Sequence, residues 1–79
     1  MWYVYILQSQ SAEERYYIGI TEDLKRRLLQ HNSGQVGHTA KHQPWTIKTY
    51  IAFSNQEQAI SFERYLKTAS GRAFAKKRL

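Results

Sequence analysis

Apolar residues recur along this chain in two ways, as short dense runs suited to strands and at helical spacing. Trp2 to Gln8 and Tyr16 to Ile20 are rich in aromatic and β-branched residues, and the polar run Ser9 to Arg15 between them predicts a hairpin loop longer than a tight turn. Side chains alternate along a strand, so Tyr3 and Tyr5 share one face while Trp2, Val4 and Ile6 share the other; Tyr17 and Gly19 likewise share a face. A register that aligns these faces gathers the tyrosines on one side of the hairpin and leaves Gly19 as room for a ligand to approach the backbone. Trp45 to Phe53 predicts a third strand, with Trp45, Ile47, Ile51 and Phe53 on one face and Lys48 and Tyr50 on the other.

Helical spacing appears in three places. Thr21 as cap, Glu22 and Asp23 in the positive first turn and the stop signal Asn32-Ser33-Gly34 predict a helix from about Glu22 to Asn32. Leu24 and Leu28 form its buried stripe, and Arg27 and His31, one turn apart on the same edge, can reach a common point. A second helix is expected from a cap at Ser54 or Asn55 to about Thr68, and Glu63 falls inside its apolar arc of Ala59, Ile60, Phe62 and Leu66. Ser70-Gly71 is expected to break the chain before a short basic helix, Arg72 to Arg78. Ser33 to Pro44 has no period and reads as a mobile loop.

With 79 residues, the chain predicts one domain spanning residues 1–79. The absence of cysteine removes disulfides and thiolate zinc sites as supports and fits a reducing cytoplasm. The apolar run Val4 to Leu7 is too short for a signal peptide or a membrane span, so a soluble, cytoplasmic protein with no membrane partner is expected. Net charge is +6, and all of the excess lies beyond Glu63. Arg64, Lys67, Arg72, Lys76, Lys77 and Arg78 meet no acidic residue there, so this end is expected to attract a polyanion, nucleic acid first.

A buried-side carboxylate such as Glu63 needs a partner or a task, because an unpaired charge costs several kcal/mol, on the order of the stability of a small domain, when taken out of water. Salt-bridging to Arg27 or another base is one solution. The other is a phosphodiesterase site, which needs an activated water, stabilisation of added negative charge and protonation of the leaving oxygen. Glu63 can hold one Mg²⁺ or Mn²⁺, and Arg27 offers a planar fork to phosphate oxygens. Tyr5, Tyr17 and His31 are the candidates to take the proton of water, with the intrinsic pKa of imidazole favouring His31. His38 and His42 are spaced like metal ligands, but they stand among turn residues without a third ligand.

These residues, in this order, resemble the GIY-YIG nuclease superfamily, and the chain is similar to its small standalone members over essentially its whole length. Tyr3-Val4-Tyr5 stands at the first motif and Tyr17-Ile18-Gly19 is the second motif intact. Thr21 to Leu24, with Arg27-Leu28 and His31-Asn32, resembles the helix that bears the family arginine, and Glu63 matches the metal-binding glutamate. The ending Ser70-Gly71-Arg72-Ala73-Phe74-Ala75-Lys76-Lys77 is similar to that of the standalone members. The resemblance implies an α+β fold, a three-stranded antiparallel sheet flanked by helices, and cleavage of nucleic-acid backbones with one divalent metal. Two departures stand out: Tyr3 replaces the first motif's glycine, and Ile20 replaces a lysine of the excision-repair branch. His31 stands where that branch has another tyrosine, which again favours it as base. The expectation is a Mg²⁺- or Mn²⁺-dependent endonuclease acting on DNA rather than RNA, selective for branched or flapped structure, with Lys67, Arg72, Lys76, Lys77 and Arg78 on the nucleic acid. The alternative is a non-catalytic nucleic-acid-binding module or an accessory subunit of a repair complex.

Overall fold

In the computed structural model, which describes residues 1–79, the N-terminal aromatic and β-branched run forms β1 (Trp2–Ser9). It is the middle strand of a three-stranded antiparallel sheet, flanked by β2 (Tyr16–Thr21) and β3 (Trp45–Phe53) in the order β2-β1-β3. Helices cover both faces of this sheet. Val4, Tyr5, Ile6 and Leu7 are therefore buried consecutively rather than alternately. The helices are α1 (Leu24–Asn32), α2 (Gly37–Ala40), α3 (Gln56–Leu66) and α4 (Ala69–Arg78), which completes the expected α+β architecture. None is long and apolar enough to cross a membrane.

Two small cores result. On one face Tyr5, Leu7 and Trp45 pack with Tyr17, Leu24, Leu28 and Ile47; on the other Val4 and Ile6 meet Ala59 and Leu66 of α3, with Ile18, Phe53 and Phe62 around them. The third strand contributes to both cores, which corrects the single apolar face expected of it. Ile6 pairs with Thr49 but Leu7 pairs with Ile47, so Lys48 is an extra, bulged residue at which the strand changes phase. Trp45 and Ile47 consequently join Tyr5 and Leu7, while Phe53 packs on the opposite side.

Helix ends follow local capping rather than composition alone. α1 starts at Leu24, not Glu22, because the Asp23 carboxylate accepts the Arg26 N–H (3.0 Å) and Thr21 Oγ1 accepts the Asp23 N–H (3.1 Å). Asn55 caps α3 by accepting from the Gln58 N–H (3.0 Å). The break after α3 falls at Lys67 and Thr68, not at Ser70-Gly71, since the Thr68 hydroxyl accepts the Gly71 N–H (3.1 Å) and caps α4. Gly71 lies inside α4 and is buried there, because a Cβ at that position would collide with the Tyr65 carbonyl group.

The segment Ser33 to Pro44, expected to be irregular and mobile, contains α2 and is tied to the sheet. Ser9 Oγ donates to the His42 carbonyl (2.5 Å) and the Gln10 N–H to that of Pro44 (2.8 Å). The Asn32 amide spans the Trp45 backbone, accepting its N–H (2.5 Å) and donating to its carbonyl (3.0 Å). At His42, Pro44 and Trp45 the bonded groups are all backbone, so none of these ties shows in the segment's own side-chain pattern.

Candidate active site

Antiparallel pairing opposes Tyr5 to Gly19 and Leu7 to Tyr17, so Tyr5 and Tyr17 share the α1 face as the alternation predicts. Their ring centroids lie 6.3 Å apart. The space above Gly19 is not left open for a ligand, however. The Tyr5 phenol fills it, and a Cβ on Gly19 would overlap the phenol oxygen. Glycine is required because the tyrosine of the neighbouring strand lies flat over the backbone.

α1 lays its stripe of Leu24 and Leu28 on this face, and the same turn carries His31 inward to full burial. The imidazole packs against Tyr17 at 4.8 Å and Tyr5 at 5.9 Å between centroids. Thr39 Oγ1 donates to the Val36 carbonyl (3.2 Å) and therefore accepts from His31 Nδ1–H (2.8 Å). That assigns the tautomer: Nε2 is bare and accepts the Tyr5 hydroxyl proton at 3.0 Å. The resulting chain Tyr5-His31-Thr39-Val36 points every proton one way, and no buried side-chain polar atom lacks a partner.

This setting alters the acid–base character of both groups. Burial, with the nearby Arg27 charge adding, pushes the His31 pKa down from 6.5 to about 4. Protonating Nε2 would also set two donors against each other, because Tyr5 already directs its proton there. Burial raises the Tyr5 phenol above its ordinary value; Arg27 opposes the rise, while Tyr17 and Glu63 add to it. His31 therefore differs from the near-neutral base that the intrinsic pKa of its residue type suggested. It has no surface that water can reach, and both ring nitrogens are engaged.

Arg27 and His31 do converge, with Arg27 at the rim where His31 is inside. The Arg27 guanidinium donates from Nη1 to Gln30 Oε1 (2.9 Å) and lines a cavity of about 380 Å³ with Trp2, Ile20, Thr21 and Arg26. Glu63 is half-buried, at 15% side-chain exposure, with its Oε2 2.7 Å from Lys67 Nζ. The partner its position demanded is thus Lys67, one turn along α3, rather than Arg27. No group of three or more His, Cys, Asp or Glu residues gathers anywhere in the chain, and His42 packs on the Trp45 indole.

The five expected nucleic-acid contacts divide. Lys67, Arg72 and Lys76 line one cleft of about 760 Å³, together with Arg15 and Lys48; Lys77 and Arg78 are exposed at the end of α4, outside the cleft lining. Lys67 belongs both to the cleft and to the Glu63 pair. Thr39 was not foreseen. Its sequence neighbours Gly37 and His38 resemble a loop, and the one available signal was a β-branched hydroxyl residue in an otherwise unpatterned segment.

Comparison with known proteins agrees with this arrangement. The family model described as the GIY-YIG catalytic domain matches residues 1–78. A UPF0213 protein of Streptococcus pneumoniae is 38% identical over 66 residues, covering 82% of this chain and 65% of the relative. A structure-specific endonuclease subunit SLX1 homolog of Drosophila persimilis is 39% identical over 69 residues, 76% of this chain but 24% of the larger protein. The chain thus spans less than two thirds of either relative. The solution structure of a UPF0213 protein from Bacillus halodurans superposes with a TM-score of 0.57 at 32% identity, covering 96% of this chain and 81% of the other. The family model spans nearly the whole chain, and the chain belongs to the GIY-YIG family.

Proposed function

We propose that this chain is a divalent-metal-dependent endonuclease that hydrolyses phosphodiester bonds in DNA of branched or flapped structure. The observation that carries the reading is the gathering of Tyr5, Tyr17 and Arg27 about a buried, fully bonded hydroxyl–imidazole chain, with the charge of Glu63 felt at the Tyr5 phenol. Folding alone does not call for a guanidinium, a carboxylate and two phenols so arranged. Structure selectivity is supported by the SLX1 relatives, whose name describes a structure-specific endonuclease subunit.

Arg27 receives the non-bridging phosphate oxygens through its fork and stabilises the negative charge that builds on them. Tyr5 is arranged as a relay: its oxygen lone pair accepts a proton from the attacking water while its own proton passes to His31 Nε2. The imidazolium so formed keeps Nδ1–H on Thr39. With a His31 pKa of about 4, this transfer is uphill at neutral pH, which suits a transient transition-state event and disfavours a resting charged histidine. Tyr17, tilted at 57° against His31, walls the site and offers a second phenol to the substrate.

Glu63 suits a Mg²⁺ or Mn²⁺ ion in its chemistry: a partly exposed carboxylate whose present counter-charge is a flexible ammonium that can move aside. One carboxylate holds such an ion weakly, with water and substrate oxygens filling the other positions. When bound, the metal supplies Lewis-acid polarisation of the phosphate and lowers the pKa of water. Lys67, Arg72, Lys76, Lys77 and Arg78 draw the polyanion in.

The same ion pair favours a second reading, a non-catalytic nucleic-acid-binding module or accessory subunit, since Lys67 satisfies Glu63 without metal. Glu63→Gln separates the two. The endonuclease reading expects an intact fold and loss of Mn²⁺-dependent cleavage of a flapped DNA; cleavage retained by the variant refutes the role of Glu63, and absence of cleavage by the unaltered chain supports the module.

A further inference from the structure

We propose that the basic cleft on the α4 side of the sheet is a separate subsite for an unpaired nucleic-acid strand, extending from the Glu63–Lys67 pair along α4. Its floor is apolar, made by Ile6, Ile18 and Ala75, and its rim is cationic. Arg15 comes from the β1–β2 loop, Lys48 from the bulge of β3, and Arg72 and Lys76 from successive turns of α4, against a single acid, Glu14. Tyr16 stands at the edge with 52% of its surface exposed.

This combination selects among polyanions. A duplex hides its bases in the stack and could use only the cationic rim. An apolar floor beside an exposed aromatic ring is of use to a strand whose bases are free to stack, while phosphates meet the arginines and lysines. A cleft of about 760 Å³ has room for a short run of nucleotides. Lys67, the shared residue, places the strand next to the carboxylate: a phosphate in the cleft competes for the ammonium that now neutralises Glu63.

The assignment of the cleft rests on the nuclease reading only for the consequence that substrates with a single-stranded arm are preferred; binding is measured independently of cleavage. The Glu63→Gln chain is titrated with fluorescein-labelled oligothymidine and with a blunt duplex of equal length, by anisotropy. Tyr16→Ala is expected to weaken the single strand about tenfold, the scale of one lost base stack, and the duplex far less, whereas Tyr16→Phe retains the affinity. Arg72→Gln with Lys76→Gln should flatten the log–log salt slope for the single strand by about 1.4, at about 0.7 per contact. All three sites are exposed, so the variants should fold, which circular dichroism checks. Equal losses for both ligands, no loss with Tyr16→Ala, or amide shifts with oligothymidine that map away from residues 15–18 and 72–76 would overturn the proposal. Cleavage by the unaltered chain is scored separately: an empty cleft with cleavage intact refutes the subsite alone, and an occupied cleft without cleavage refutes the nuclease reading alone.

Discussion

Acid should destabilise this domain through one side chain, His31. Its pKa falls from 6.5 to about 4 on folding, because the folded chain holds the ring out of water between Tyr5 and Thr39, with Nε2 already accepting a proton. Above pH 6.5 the imidazole is neutral in both states and the full stability is present. As pH falls the unfolded ring takes up a proton first, so stability is lost progressively between about pH 6.5 and 4; below that both states are protonated and this loss stops. The shift corresponds to about 3 kcal/mol at 1.36 kcal/mol per pH unit. For a chain of 79 residues that is a large share of a total of roughly 4–12 kcal/mol. Urea unfolding, with a slope of about 1 kcal/mol per molar for so small a protein, should show the midpoint dropping by roughly 2–3 M across that window. His31→Gln removes the titrating ring, so the difference between the two chains isolates His31 from the carboxylates that titrate nearby. Parallel midpoints for the two chains from pH 7 to 4, or an NMR titration of the His31 ring centred near 6.5, would refute the argument.

Arg27→Ala is expected to lower the cleavage rate about 10²-fold or more, the scale of one lost transition-state donor, with a much smaller change in substrate affinity. Equal losses in rate and affinity would make Arg27 a general phosphate contact. Lys67→Met removes the ammonium from Glu63, so the variant should bind Mn²⁺ more tightly, about fivefold or more if the pair contributes about 1 kcal/mol; an unchanged affinity by electron paramagnetic resonance would mean that metal and lysine do not compete. Gly71→Ala should destabilise α4 by about 1–3 kcal/mol through the clash with the Tyr65 carbonyl, although helix propensity alone favours alanine by about 1 kcal/mol. A raised melting temperature would contradict the clash.

Strands and their facing pairs were legible because aromatic and β-branched runs carry a period of two, and that period was enough to bring Tyr5, Tyr17 and Gly19 together. The bulge was not. Burial in β3 alternates without interruption from Trp45 to Phe53, and a change of phase in pairing leaves no mark on a pattern of apolar and polar letters. Gly71 reads as a helix breaker on propensity, whereas a close backbone approach, visible only in three dimensions, requires it. The i, i+4 relation of Glu63 and Lys67 was open to inspection, but the surplus of positive charge directed Lys67 toward phosphate instead. Thr39 was out of reach because its role depends on a histidine eight positions earlier, with the intervening chain folded back by backbone hydrogen bonds.

The bulge at Lys48 gives the third strand slack. Nine residues of β3 lie against eight of β1, and the surplus position separates Ile47 from Thr49, whose partners Leu7 and Ile6 are adjacent. A chain that lost Lys48 would close the ladder without turning either end of the strand over: Trp45 would still direct its indole N–H to the Thr39 carbonyl, and Phe53 would still sit against α3. An insertion at the same place would restore alternation only by sliding Trp45 and Ile47 two positions along β1, so that Ile47 opposes Ser9 rather than Leu7 and Trp45 runs past the end of the strand. Tolerance to length change is therefore one-sided here, and the indole N–H resonance of Trp45, preserved on deletion and displaced on insertion, would report it.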